Sequence, residues 1–188
     1  MGDGNDVGRP NGVVIDRVVA EALNVVRDDS AGMEAFLRAY FVHVDADDLA
    51  RRSPEDLFGM AAEHAQQGSA WQPGTASVRV MSPLLEVDGW ESPHSVLLTV
   101  TDDLPFLVDS VTMELTRLGV GIHLVVHPVL CDERSTGGSF DGGGDGATGP
   151  PASFIAIEID RQADPAGLEA IEQGVRRVLG DVRSSVED

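Results

Sequence analysis

The sequence contains no lysine, a single cysteine and no long hydrophobic run. All 13 basic residues are therefore arginines, and 32 acidic residues give the 188-residue chain a formal net charge of −19. Nucleic-acid binding needs clustered basic side chains, so this charge excludes nucleic acid as an expected partner. Cys131 alone can form neither an internal disulfide nor a cysteine-based zinc site.

Membrane insertion and secretion are not expected either. No apolar stretch approaches the ~20 residues that span a bilayer, and the N-terminus lacks the basic-then-apolar pattern of a signal peptide. We therefore expect a cytoplasmic protein without a membrane partner. A hydrophobic content of 42% is typical of a globular domain with a substantial core.

The N-terminal part of the chain predicts helices. Residues 1–11 are polar and Gly-rich, which is typical of a disordered terminus. Apolar residues recur at helical spacing over Val13–Val26 and again over about Ala31–His43. Ser53–Asp56 has the composition of a third helix start, with a capping serine, a proline in the first turn and acids that oppose the helix dipole. Residues 12–70 are therefore expected to form a small bundle or to cover the next domain.

Residues 75–188 predict an α+β domain. From Ser95 onward the order of elements is β-α-β-β-α, a ferredoxin-like pattern that lacks its last strand. A further strand before Ser95 turns directly into it and can fill the vacant place beside it. The predicted strands are Ala76–Val87, Ser95–Thr101, Gly121–Leu130 and Ser153–Asp160, with helices that start near Asp102 and Asp164.

This order predicts a four-stranded, mostly antiparallel sheet with two helices on one face. In this topology Ala76–Val87 pairs with Ser95–Thr101, whereas pairing with the last strand would refute it. Gly119 and Gly180 are expected to end the two helices, because glycine readily adopts the left-handed conformation that follows many helices. The Gly-rich segment 132–152 has no apolar periodicity and is expected to be a flexible loop.

Asp102, Asp103, Asp109 and Ser110 surround the turn between the second strand and its helix. Paired carboxylates can act as general acid and base or bind a divalent cation. Aspartates at a helix start also cap it and oppose its dipole, worth about 0.5–2 kcal/mol, and we favour this structural role. The N–H groups of the same helix start can receive the carboxylate of a small ligand. Phe106 is expected to pack on the sheet edge, or to mark an interface where it is exposed.

His123 and His127 lie four residues apart on one predicted strand. A strand rises ~3.3 Å per residue, so the two side chains are ~13 Å apart and cannot share one metal ion. We therefore predict no metal site and no catalytic constellation. The favoured interpretation is two partly buried sheet histidines, with a role in an interface or an effector pocket as the alternative.

Two motifs carry a family resemblance. Asp102–Val111 reads DDLPFLVDSV and Ile122–Pro128 reads IHLVVHP. They resemble the D-D-x-P-F-L-V-D-S-V segment and the I-H-x-x-x-H-P strand in the N-terminal region of the large NAD-specific glutamate dehydrogenases of bacteria. Ser53–His64 and Pro73–Pro83 look similar to the same family, and the resemblance extends over Phe36–Asp188.

The resemblance implies an amino-terminal piece of a much larger enzyme that deaminates L-glutamate oxidatively to 2-oxoglutarate with NAD. The dinucleotide fold and catalytic lysines of that family lie far downstream. This chain has no lysine and no GxGxxG motif, so we expect no catalytic residue and no cofactor in it. The family's N-terminal region is thought to carry ACT-like modules, which are ferredoxin-like domains that often sense amino acids at subunit interfaces. Usual ACT modules have a glycine near the first strand–helix turn, whereas Thr101–Pro105 has none.

Two roles stay open from the sequence. The first is a regulatory ACT-like module that binds an amino-acid effector or transmits its signal. The second is an assembly module that pairs sheet edges or helices between subunits without a small ligand. Both imply contacts with other domains and subunits of the parent enzyme, and a homo-oligomer is expected. The candidate effector-binding or interface residues are Asp102, Asp103, Phe106, Asp109, Ser110, His123 and His127. An independent enzyme that uses the aspartates with one histidine is the least favoured alternative.

Overall fold

The computed structural model describes residues 12–25, 30–132, 140–141 and 149–187. The expected disordered terminus and most of the expected flexible loop lie outside these residues, and both stay predictions. The elements in chain order are α1 Gly12–Val25, α2 Ser30–Tyr40, α3 Ala46–Ala50, α4 Pro54–Ala70, β1 Ala76–Met81, α5 Leu85–Asp88, β2 Ser95–Asp102, α6 Leu107–Arg117, β3 Ile122–Val126, β4 Val129–Asp132, β5 Phe140–Asp141, β6 Pro151–Ile159 and α7 Pro165–Glu187.

The strands form one antiparallel sheet in which β1 pairs with β2 and β2 pairs with β6. β3 and β4 lie one after the other along the far side of β6, and β5 adds a short edge to β4. The body of the sheet therefore has four strand positions in ferredoxin-like order, with β1 in the place of the missing last strand. The predicted α+β fold is confirmed, as is the pairing of β1 with β2, which runs from Ala76 opposite Thr101 to Met81 opposite Val96.

Two strands differ in extent from the prediction. β1 ends at Met81 and not at Val87, because Pro83 cannot donate to a ladder and the short helix α5 follows it. The predicted strand Gly121–Leu130 is divided into β3 and β4 around Pro128, which also lacks an N–H group. The carbonyl of Pro128 still accepts a hydrogen bond from Phe154 N at 3.0 Å, so the chain stays beside β6 across the break.

One face of the sheet is covered by α6 and α7, as predicted. The apolar stripes of both helices pack on alternate residues of β6, and Leu118 and Leu168 lie partly buried at the margin. The buried members are Leu107, Val111 and Leu115 of α6, Ile171, Val175 and Leu179 of α7, and Ile155, Ile157 and Ile159 of β6.

The opposite face is covered by the N-terminal helices, which decides between the two expected arrangements of residues 12–70. α1 packs on α2 and α4, and α4 contacts β2 and β6. The ring of Phe36 meets that of Phe154 edge to face, with centroids 6.1 Å apart. Because Phe154 and Ala156, which alternate with the isoleucines, are buried as fully as they are, β6 is buried on both faces. We call α1–α4 the helical layer.

Helix ends confirm two capping predictions and correct a third. Ser53 Oγ accepts a hydrogen bond from Asp56 N at 3.0 Å at the start of α4. Gly119 follows α6 with φ 72°, in the left-handed conformation. The predicted end at Gly180 is wrong, because the residues that follow it contain no proline and continue α7 to Glu187.

Candidate functional site

The seven candidate residues do not form one site. Asp102 lies opposite Ala152 at one end of β2, whereas Ser95 lies opposite Ile159 at the other end. β2 has eight residues, so these ends are ~24 Å apart. Six of the candidates cluster near the β2–α6 turn, and His123 lies at the far end beside Asp160.

Asp102 is a structural residue and not a helix cap, which corrects one prediction. Its carboxylate accepts hydrogen bonds from Gly74 N at 2.9 and 3.1 Å, and it pairs with Arg183 Nη2 at 2.5 Å. It therefore ties the turn before β1 to the last part of α7. This partner is far along the chain, so the local sequence around the turn could not indicate it.

The start of α6 is formed by Phe106 and not by an aspartate. Phe106 has φ 65° and no side-chain cap, and its side chain is 74% exposed. The expectation that it packs on the sheet edge is therefore wrong, and the alternative of an exposed aromatic holds. Asp103 and Asp109 are exposed and Ser110 is half-buried, and within the described residues none of these three side chains makes a hydrogen bond.

His127 belongs to the same end of the sheet. Its Nε2 lies 2.5 Å from Ser153 Oγ, and burial lowers the pKa of the imidazole, while the nearby Asp103 acts in the opposite direction. The expected partial burial therefore holds for His127, whereas His123 is exposed.

His123 is part of a different cluster at the other end of the sheet. Its Nε2 lies 2.7 Å from Asp160 Oδ1, and its ring stacks on His94 with centroids 4.1 Å apart. The hydrogen bond with His123 is the main cause of a lowered pKa of Asp160, and a hydrogen bond from Gly121 N is the second. Burial, followed by the neighbouring His123, lowers the pKa of His94.

A buried ion pair lies next to the two histidines. Arg52 Nε is 2.9 Å from both carboxylate oxygens of Glu158, and Arg52 Nη2 is 2.5 Å from Oε2. The two side chains are 14% and 7% exposed, and His94 Nδ1 lies 3.4 Å from the same carboxylate. Since Arg52 precedes α4 and Glu158 lies on the central strand, this pair fixes the helical layer to the sheet.

A cavity of about 300 Å³ opens above this ion pair, and we call it the interlayer cavity. Its walls come from both layers. The helical layer contributes Arg51, Arg52, Ser53 and Asp56, and the sheet side contributes His94, His123 and Glu158. Sequence analysis missed all of these except His123. The one available signal was Glu158, because an acid inside an apolar central strand must find a partner.

Two absences hold for the part of the chain that the structure describes. No group of three or more His, Cys, Asp or Glu side chains is placed to hold a metal ion. Nor is any helix in these ranges both long and apolar enough to cross a bilayer.

A ferredoxin-like sheet with two helices on one face defines an ACT-like α+β domain. Consistent with this class, the family model for the ACT1 domain of glutamate dehydrogenase matches residues 36–175. The chain belongs to this family, the ACT1 domains of glutamate dehydrogenase.

Two curated relatives match most of this chain. An NAD-specific glutamate dehydrogenase of Halomonas elongata is 35% identical over 166 residues, which is 86% of this chain and 10% of the relative. An NAD-specific glutamate dehydrogenase of Pseudomonas aeruginosa is 36% identical over 157 residues, which is 81% of this chain and 10% of the relative. The chain thus spans about a tenth of the length of each of these enzymes.

Proposed function

We propose that this chain is a non-catalytic regulatory module of an NAD-dependent glutamate dehydrogenase, and that it responds to an amino-acid effector. The parent enzyme would convert L-glutamate to 2-oxoglutarate, with NAD bound outside this segment. Two NAD-specific glutamate dehydrogenases that contain a matching region support this context. The proposal includes a cytoplasmic location, a homo-oligomer, and other domains and subunits of the parent enzyme as partners.

The observation that carries this proposal is the position of the interlayer cavity. Its walls belong to two layers that meet across the sheet face, and Arg52 and Glu158 join these layers at its floor. A ligand that contacts both walls would stabilise one arrangement of the layers over others. Differential binding to two arrangements is what an allosteric effector requires.

Thermal unfolding of the chain with each of the common L-amino acids tests the proposal. A ligand at a hundred times its dissociation constant adds about 2.7 kcal/mol of stability. For a chain of this size that corresponds to a rise in Tm of about 5–10 °C. If none of the amino acids raises the Tm, the sensing role is refuted.

A second candidate function is assembly, which the exposed face of α6 supports. Phe106 at the start of α6 and Met113 within the helix are large apolar residues that are 74% and 72% exposed. Sedimentation of the chain over a range of concentrations measures self-association. A dimer that Met113→Glu weakens, and that Val87→Glu leaves intact, would support assembly through α6, because Val87 is an equally exposed apolar residue elsewhere.

A further inference from the structure

We propose that the interlayer cavity binds a small zwitterion, a molecule with one carboxylate and one ammonium group, between Arg51 and Asp56. This inference rests on the proposed regulatory function and assigns it a location and a ligand chemistry. The location differs from the β2–α6 turn, where Asp102, Asp103 and Asp109 lie.

The charges of the cavity favour a zwitterion over an anion. Among the lining residues, Arg51 and Arg52 carry two positive charges, and Asp56 and Glu158 carry two negative charges. Arg52 and Glu158 neutralise each other in the buried pair at the floor. One guanidinium and one carboxylate therefore remain, and a ligand with one charge of each sign matches them.

Arg51 is the residue that can receive the ligand carboxylate. Its side chain is 74% exposed. Its Nη1 lies 3.6 Å from Oδ1 of Asp48, three residues earlier in the chain, which is a long contact. Exposed ion pairs of this kind contribute little free energy. Arg51 can therefore leave Asp48 and pair with a ligand carboxylate at a small cost. The planar guanidinium can then bind both carboxylate oxygens at once.

Asp56 is the residue that can receive the ammonium group. Its Oδ1 accepts a hydrogen bond of 3.3 Å from Glu91 N, and within the described residues Oδ2 has no hydrogen-bond partner. The neutral form of His123 adds a second acceptor. Its Nε2–H points to Asp160, so Nδ1 keeps its lone pair and makes no hydrogen bond in the described residues.

The size of the cavity limits the ligand. A volume of about 300 Å³ is at the lower end of the range for small-molecule sites. A free amino acid fits this volume. Because Arg51 and Asp56 belong to the helical layer and His123 to the sheet, such a ligand contacts both layers.

Titration of the chain with single L-amino acids tests the site, with succinate as a dicarboxylate that lacks the ammonium group. Arg51→Ala and Asp56→Asn should each weaken the binding of an amino acid by at least about tenfold, since each removes a hydrogen bond between charged groups. Two matched controls should bind as the wild type does. Arg38→Ala removes an exposed positive charge outside the cavity, and Asp103→Asn removes the exposed acid at the β2–α6 turn.

The outcomes separate this inference from the proposed function. An amino acid that binds equally well to the Arg51 and Asp56 variants, and less well to Asp103→Asn, would move the site to the β2–α6 turn and leave the sensing role intact. If succinate binds as tightly as any amino acid, the proposal that the ligand is a zwitterion is refuted. The absence of binding by every amino acid would overturn both proposals. Unfolding of each unliganded variant by urea shows that a loss of binding is not a loss of fold.

Discussion

Acidification should weaken the contact between the helical layer and the sheet through one buried histidine. His64 of α4 is fully buried, and its ring nitrogens bond to the sheet and to a second helix of the helical layer. Nε2 lies 2.9 Å from the carbonyl oxygen of Thr99 on β2, and Nδ1 lies 2.7 Å from Tyr40 Oη on α2. A carbonyl only accepts, so Nε2 carries the proton and Tyr40 donates to Nδ1. The geometry therefore uses the neutral imidazole.

Burial lowers the pKa of His64 from 6.5 to about 4. Between these two values the unfolded chain binds the proton and the folded chain does not, so the free energy of unfolding falls as the pH falls. The linkage relation gives a loss of about 2 kcal/mol at pH 5, and of about 3 kcal/mol below pH 4. This stability is fully present above pH 6.5.

Urea unfolding between pH 8 and pH 5 measures this loss. His64→Gln removes the titrating group. The amide does not reproduce both hydrogen bonds of the buried ring, so the variant should be less stable at pH 8 by about 1–3 kcal/mol. Its free energy of unfolding should then depend less on pH than that of the wild type, by about 2 kcal/mol over this range. Substituting the exposed His43 by Gln is the matched control. A wild-type pH dependence that persists in His64→Gln would refute the assignment to this residue.

Three further substitutions test other contacts, each by urea unfolding at pH 7. Gly59→Ala should cost about 1–3 kcal/mol, because its Cβ would lie 2.3 Å from the ring of the buried Trp90; an unchanged midpoint would show that Trp90 can move away. Glu158→Gln should cost about 3 kcal/mol, since it leaves the charge of Arg52 buried without a carboxylate, and a loss below about 1 kcal/mol would contradict this. Phe106→Gly should raise stability by up to about 1 kcal/mol, because glycine adopts φ 65° without strain and little buried contact is lost; destabilisation would mean that the aromatic side chain packs in solution.

Local patterns were sufficient to predict the elements and the order of the sheet. The helical spacing of Leu107, Val111 and Leu115 is a property of consecutive turns, and these residues form the buried face of α6. The position of β1 followed from the short connection to β2, since neighbours in the chain pair easily. Both predictions depend on contacts between residues close in sequence.

The second covered face of the sheet depends on contacts that are distant in sequence. Ile155, Ile157 and Ile159 alternate along β6 and lie on the face that α6 and α7 cover. Phe154 and Ala156 lie on the opposite face and are also buried, so Phe154–Ile157 is a continuous apolar run, which is typical of a strand buried on both faces. This run is the sequence signal for the second covered face.

The candidate site was the least predictable feature, for the same reason. The predicted capping role of Asp102 is wrong because its carboxylate pairs with Arg183. This partner lies 81 residues further along the chain. The interlayer cavity combines residues that precede or begin α4 with residues of β3, β6 and the segment before β2. Short motifs contain no information about such a set, and only Glu158 is conspicuous in its strand.

The covered faces also limit how this module can associate. Two copies cannot associate through the sheet face opposite α6 and α7, because the helical layer covers that face. Extension of the sheet at β1 would meet side chains of α7: Arg176 Nη2 donates to Val78 O at 2.6 Å, and Glu172 Oε2 accepts from Val80 N at 3.3 Å. These side chains occupy backbone groups that an added strand would need, so edge pairing at β1 requires their displacement. Assembly through the outer face of α6, where Phe106 is exposed, requires no such rearrangement.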